Sequence, residues 1–502
     1  MKTKSALIIF WGLMSIVCLS NCNSKIDESR CVLLPVNDDP TISFRIYFKV
    51  GSQDDPAGKE GLAYLTAHML TEAATQTNSY DEIIAKLFPL AAGYEASVSA
   101  EMTVISGRVH KDNLSTYYPL FADAILKPAF NEDDLSRLKS NILNYLENVL
   151  KYASDEELGK AVLYNEIFAG TGYGHLTEGS IGSIKAITVK DVQEFYKKMY
   201  NRQNVIIGLG GGYDYATLES LQKDLHKLTA GKVNAGVKAV PYEIQGLKIT
   251  LVQKNANATA MSLGFPINLT RDNPEWYALA VANSWFGEHR NSSSHLYQVI
   301  REARGLNYGD YSYIENFPGG GRRQFPPVNV ARHQQLFEIW IRPVPNDTRH
   351  FVLRATMREL RNFVDNGISE EQFDLTRDFL RKYIFHYAPT TMMRLGYAID
   401  DQFYGIPGSH LENFRAALDT MTVADVNEAI RKYLQYDNLQ IVIVSNEAEK
   451  LRDELLNNSP SPIRYATPKP KEVLEDDKQL ENYPLDIKPE NVKIVDVQDL
   501  FF

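Results

Sequence analysis

Residues 184–208 read IKAITVKDVQEFYKKMYNRQNVIIG, and residues 418–442 read LDTMTVADVNEAIRKYLQYDNLQIV. Both stretches contain Thr-Val-x-Asp-Val, then a helix-period segment, a short Tyr-containing turn and a β-branched run at 204–208 or 439–444. A Thr just before helix-period apolar residues is a start signal, because its hydroxyl satisfies an amide that the first helical turn leaves open. Thr188 and Thr422 are therefore read as caps. The recurrence of one helix–turn–strand unit divides the chain into two similar halves.

Working outward, each half opens in the same way. Residues 41–50 (TISFRIYFKV) alternate apolar and polar side chains, the period of a half-buried strand, and residues 258–267 (ATAMSLGFPI) are the counterpart. A loop with Asp-Pro or Asn-Pro follows, then a helix at 61–74 or 276–286. Helical patterns at 132–151 and 155–168, and again at 347–366 and 369–386, fill the middle of each half. The fold class is α+β: two homologous domains, each a mostly antiparallel sheet with helices on one face. The domains are expected at 34–228 and 246–457, with a linker at 229–245 where Gly, Ala and Lys interrupt the apolar periodicity. Residues 458–502, rich in Pro, Lys, Glu and Asp, read as an extended tail whose end, VKIVDVQDLFF, is apolar enough to dock.

The formal charge is −10, so no basic stripe is available to neutralise phosphates, and a nucleic-acid partner is excluded. Lys2 and Lys4 precede an apolar run at 6–19, too short for a spanning helix of about 20 residues. This reads as an export signal over 1–21. The run ends Leu19-Ser20-Asn21-Cys22, which resembles a bacterial lipobox, so Cys22 is the expected lipidation site and 22–33 a linker behind it. The chain is then exported and anchored to a bacterial membrane through the lipid only, facing the periplasm. The alternative is plain secretion with Cys22 a free thiol. Cys22 and Cys31 provide no Cys-based metal site.

Residues 49–75 (KVGSQDDPAGKEGLAYLTAHMLTEAAT) and 295–311 (HLYQVIREARGLNYGDY), with Gly172-Tyr173-Gly174-His175, resemble the insulinase/pitrilysin metallopeptidases, closest to their bacterial processing-peptidase-like branch. The resemblance spans about residue 34 to 457 and implies that the two domains form half of a clam-shell. That family holds zinc with an inverted H-x-x-E-H motif on its first helix, where two His on one face bind the metal and the Glu is the general base. A Glu from a later helix completes the site.

This chain departs from that motif. Tyr64, Ala67 and His68 occupy the positions of first ligand, base and second ligand, and Asn148 falls where the distal Glu belongs. A phenol is a poor zinc ligand at neutral pH, and a methyl group moves no proton. The resemblance therefore implies that this chain binds no zinc. A displaced site around His68, Glu72 and Glu147 is the alternative, giving a self-sufficient peptidase. The family's Arg/Tyr pair, which binds the substrate backbone and the developing oxyanion, falls on Arg301 and Tyr308. Loss of metal with retention of that pair resembles the non-zinc subunit of a two-chain peptidase. It implies a zinc-motif paralogue as heterodimer partner, zinc in that partner, and a peptide substrate. Residues 91–102 (AAGYEASVSAEM) align with the family's substrate-pairing edge strand, placing Ala96 and Ser97 against the peptide. A non-catalytic peptide-binding or assembly module of the same fold is the competing reading. The run Gly208–Gly212 lacks the Lys-Ser/Thr of a phosphate loop and is not read as a nucleotide site. Residues 318–323 (PGGGRR) read as a mobile cationic connector.

Overall fold

The computed structural model describes residues 27–236 and 238–502, so the expected signal and Cys22 lie outside the described residues. The first half forms a five-stranded sheet from β1 (Cys31–Pro35), β2 (Thr41–Phe48), β3 (Gly93–Val98), β4 (Thr103–His110) and β5 (Val205–Gly211). The second forms a six-stranded sheet from β6 (Leu247–Gln253), β7 (Ala258–Ile267), β8 (Asp310–Tyr313), β9 (Gln335–Pro345), β10 (Leu439–Ser445) and β11 (Val492–Asp496). The orders are β1-β5-β2-β4-β3 and β11-β6-β10-β7-β9-β8. With β11 set aside, strand for strand the two are the same. β1 pairs β5 in parallel, as β6 pairs β10, and the remaining ladders of each repeat are antiparallel.

The repeated caps form as their chemistry requires. Thr188 accepts from Asp191 N (3.2 Å) and donates its own N–H to the Asp191 carboxylate (2.8 Å). Thr422 and Asp425 make the same reciprocal pair at 3.3 and 2.8 Å. The helices Val189–Met199 and Val423–Tyr433 that follow bury Val192 and Phe195, or Val426 and Ile430, against the sheets.

Each sheet is covered on its second face by a helix lent from the other half. Helix Asp155–Ile167 lies on β7, β9 and β10, and helix Thr391–Tyr404 lies on β1, β2 and β5. Small residues make this close approach possible. A Cβ on Gly208 would stand 2.8 Å from Ile399 Cδ1 and 2.7 Å from the Arg45 carbonyl, and Gly159 packs against Ser262 of β7. The glycine-rich run Gly208–Gly212 is thus a packing feature. Two ion pairs and a hydrogen bond fix the exchange: Arg342 Nε donates to Glu156 (2.9 Å), Lys254 pairs with Asp155, and Arg45 Nε donates to the Met392 carbonyl (3.1 Å).

Three expectations change. The pattern read as one helix over 132–151 is an α-helix, Glu132–Asn144, that passes into a π turn, Tyr145–Leu150, which shifts the face presented by the residues after Asn144. The linker expected at 22–33 ends early, because β1 begins at Cys31 and pairs with β5. The tail 458–502 is not extended throughout. Helix Lys471–Leu480 docks through Arg304, whose Nε donates to Asp477 (2.9 Å) and Nη2 to Asp476 (2.6 Å). β11 then adds in parallel to β6. The last residues cross to the first half, where the Phe501 carbonyl accepts from Ile181 N (2.9 Å) and Gln498 O from Lys151 Nζ (2.8 Å). Buried Leu480, Leu485 and Val497 supply the apolar drive, and the charged composition lies on the outer side. No helix among the described residues is long and apolar enough to cross a membrane.

Candidate functional site

Helix Leu62–Thr71 carries the positions of the inverted motif. Gly61 caps it at φ +92°, and no other residue fits, because a Cβ there would meet the Glu178 carbonyl at 2.6 Å. The Asp55 carboxylate receives the N–H groups of Gly61 and Ala63, both at 2.7 Å, and burial pushes its pKa up to about 8. Tyr64, Ala67 and His68 share one face. The Tyr64 ring lies on the imidazole of His68, centroids 4.0 Å apart, and Ala67 is fully buried. His68 Nδ1 is bonded to Glu72 Oε1 (2.7 Å), and that bond holds the Glu72 carboxyl below its usual range.

The half-buried Glu178, in the loop before helix Ile181–Ala186, completes this cluster. Burial raises its carboxyl and the nearby His68 offsets part of the effect, while its charge adds to the burial that raises the phenols of Tyr64 and Tyr145. Nothing in its sequence context marks Glu178. It comes to the site because the chain after Gly172-Tyr173-Gly174-His175 folds back beneath Gly61.

The donor set does not fit the zinc ion that the motif's resemblance would imply. Zinc in a peptidase takes three strong protein ligands and an open position. Here the first ligand is a phenol that burial keeps protonated, and the base position is a methyl group. Asn148 is exposed and donates to Asn144 Oδ1 (3.0 Å). Glu147 lies 3.8 Å from Lys185, so it turns to a lysine rather than to His68. Among the described residues no three His, Cys, Asp or Glu side chains converge as a metal site.

Arg301 lies in the turn Tyr297–Glu302, half-exposed, paired with Glu302 (2.6 Å) and stacked over the Tyr297 ring at 5.7 Å. Tyr308 precedes β8 instead of lying on it, and is 77% exposed. The turn between them is rigidly held from below. Arg304 is buried and also donates to the Val299 carbonyl (2.8 Å), while Asn307 Nδ2 donates to Asp310 (2.6 Å) and to the Arg342 carbonyl (3.1 Å). Sequence reading missed Arg304, Asn307, Asp476 and Asp477 as positioning residues. The first two stand inside the quoted run 295–311, and the two acids lie far down the chain in a segment expected to be extended.

Ala96 and Ser97 lie on β3, opposite Ile105 and Val104 of β4. β3 ends the first sheet, and its outer edge has no strand partner among the described residues. The 318–323 loop is docked: Gly321 N–H donates to Glu157 Oε1 (3.2 Å), its carbonyl accepts from Arg290 (2.8 Å), and Gly320 packs on Trp340.

Comparison with known proteins agrees with this architecture. Residues 31–179 match the family described as "Insulinase (Peptidase family M16)", and residues 186–380 match "Peptidase M16 inactive domain". An uncharacterised zinc protease of Mycobacterium bovis is 25% identical over 399 residues, covering 78% of this chain and 85% of the relative. A solved peptidase M16 inactive domain from Pseudomonas fluorescens is 24% identical with a TM-score of 0.74, covering 84% of this chain and 96% of that one. A solved protease from Helicobacter pylori is 16% identical with a TM-score of 0.69, covering 83% and 96%. Both matches are to M16 domains and together cover most of the chain, on a fold shared with solved M16 structures, and the chain belongs to the insulinase (M16) family of metallopeptidase-like proteins.

Proposed function

We propose that this chain is the non-zinc subunit of a two-chain zinc metallopeptidase, contributing Arg301 and Tyr308 to an active site whose metal and general base belong to a zinc-motif paralogue. The observation that carries the reading is the asymmetry between the two ends of the site. The metal positions hold Tyr64, Ala67 and Asn148, whereas Arg301 and the strongly exposed Tyr308 stand on a turn braced by buried Arg304 and Asn307. In this reading the guanidinium and the phenol donate hydrogen bonds to the substrate backbone and to the oxyanion. The free edge of β3 at Ala96 and Ser97 receives the peptide as an added strand. The chain is exported and held at a bacterial membrane by a lipid on Cys22, facing the periplasm.

The purified chain is expected to be inert toward peptides, and mixing with the paralogue should produce hydrolysis. Arg301→Ala or Tyr308→Phe should lower kcat/KM of the mixture by roughly 10²–10³, the usual loss on removing an oxyanion donor. Full activity with either variant, measured on a quenched fluorescent peptide, would sink the reading. A second reading, peptide capture without cleavage, is favoured by the bare β3 edge, and it predicts saturable peptide binding with no hydrolysis in any pairing.

A further inference from the structure

The second domain contains a recess that neither the zinc motif nor the Arg/Tyr pair uses. It lies between helix Glu275–Gly287, the end of β8, and helices Glu370–Tyr383, Thr391–Tyr404 and His410–Thr420. Its walls are aromatic: Trp276 meets His410 edge-on at 4.8 Å, Tyr313 stacks on Phe317 at 4.8 Å, and Tyr387 and Phe414 complete the lining. The cavity measures about 70 Å³, against roughly 150 Å³ for one that admits benzene. It has room for a headgroup with a short stem and none for a peptide.

Its charges are unbalanced. Arg271 is the one guanidinium among the described lining residues, and Glu315 already holds it through Nε and Nη2 at 2.6–3.2 Å, with Asp400 at 3.9 Å from Nη1. His289 and His410 bring no charge. Burial lowers His289 to about 4, where Tyr313 and the Arg323 carbonyl bond its two nitrogens, and burial likewise depresses His410. Glu288, half-buried at the end of helix Glu275–Gly287, is therefore a carboxylate without a counter-charge. No ion pair among the described residues includes it, and Ser284 is the neighbour that eases its burial. It sits within electrostatic reach of Tyr313, Tyr383 and Tyr387. A surplus carboxylate in an aromatic recess repels anions and attracts cations.

We propose that this recess is a binding site for a small organic cation, a short alkylammonium whose charged head pairs with Glu288 beside Tyr387, the Tyr313 ring being already covered by Phe317 and Lys160. The buried Trp276 Nε1, which has no hydrogen-bond partner, is left to meet a polar group at the other end of such a ligand.

The test is calorimetric titration of the whole chain at about pH 8 with n-propylammonium chloride, using propan-1-ol and sodium propionate as neutral and anionic controls of similar size. Saturable binding of the ammonium alone is expected, and Glu288→Gln should weaken it at least about tenfold, as loss of a charged hydrogen-bond partner does. Wild-type binding should also weaken at about pH 5.5, because burial holds the Glu288 carboxyl at about 7. Asp400 beside Arg271 and Asp401 at His410, raised by burial to about 6 and about 7, take up protons in the same interval. The pH dependence left in Glu288→Gln is therefore theirs, and only the excess in the wild type belongs to Glu288. If Glu288→Gln does not fold, Glu288→Ser takes its place, with the same loss expected. No saturation below roughly 10 mM, equal binding of propionate or propanol, or binding unchanged by both Glu288→Gln and the pH drop overturns the proposal.

Discussion

Glu338 on β9 is 1% exposed, and neither of its carboxylate oxygens is hydrogen-bonded. The Tyr164 hydroxyl is turned to Asn316 (3.1 Å), and Lys160 Nζ to the Phe317 carbonyl (2.8 Å). Burial pushes the Glu338 pKa up to about 7, with Lys160 offsetting part of the effect. A carboxyl raised in the folded state binds its proton more tightly there than in the unfolded chain. Stability therefore falls as pH rises from the ordinary carboxylate range through about 7. Glu338→Gln should raise the Tm at pH 8, by an amount corresponding to about 1–3 kcal/mol, and leave it nearly unchanged at pH 4. Scanning calorimetry at the two pH values checks this, and an equal shift at both would refute the assignment. At the same scale the replaced motif positions Tyr64, Ala67 and Asn148 were legible as letters. The partners that give them meaning were not: Glu72 bonded to His68 is a near neighbour in sequence, but Glu178 reaches the cluster only through a loop that folds under Gly61.

At the scale of elements, the capped helices Val189–Met199 and Val423–Tyr433 and the strands after them follow from local chemistry, and they form where their Thr caps predict. The π turn Tyr145–Leu150 does not follow from periodicity, because a shift of hydrogen-bonding partner within an otherwise helical pattern changes no residue type. The helix exchange is likewise silent in the pattern. Helix Thr391–Tyr404 is amphipathic toward whatever sheet it meets, and its seat on the first sheet is made by glycines whose packing role no local pattern announces. Gly208→Ala should therefore destabilise the chain by about 1–3 kcal/mol in urea unfolding, since the new Cβ meets the Arg45 carbonyl and Ile399 below 3 Å. A neutral outcome would show that this helix is not held as tightly as the packing implies.

At the scale of the whole molecule, the halves are joined by exchanged helices, by the strap from Lys471 to Phe502, and by a latch at the turn between β3 and β4. There Glu101, its side chain 9% exposed, accepts from His333 N (2.7 Å), pairs with His333 Nδ1 (2.7 Å) and bonds the Tyr173 hydroxyl. The side-chain bond to Glu101 raises the His333 pKa, and those same bonds outweigh burial to lower that of Glu101. A raised His contributes stability below its unfolded pKa and loses it as pH climbs through the folded value. The lowered Glu contributes above its own unfolded pKa and loses it in acid. The latch is thus strongest between the two, near pH 5–6.5. His333→Ala should lower the Tm more at pH 6 than at pH 9, by no more than about 1 kcal/mol because the imidazole is largely solvated. Equal losses at both pH values would remove the charge from the account.

The sequence by itself determined the two-fold repeat, the strand and helix units inside it, the family, and the replacement of metal ligands, because caps, side-chain periodicity and motif letters are local properties. Tertiary structure alone decided which half each middle helix covers, where the charged tail docks, and that Arg304, Asn307 and Asp477 brace the turn of Arg301 and Tyr308. It also decided that Glu288 and Glu178 lie half-buried beside their neighbours. These depend on contacts between residues distant in the chain, and burial, which sets both packing and pKa, exists only once those contacts have formed.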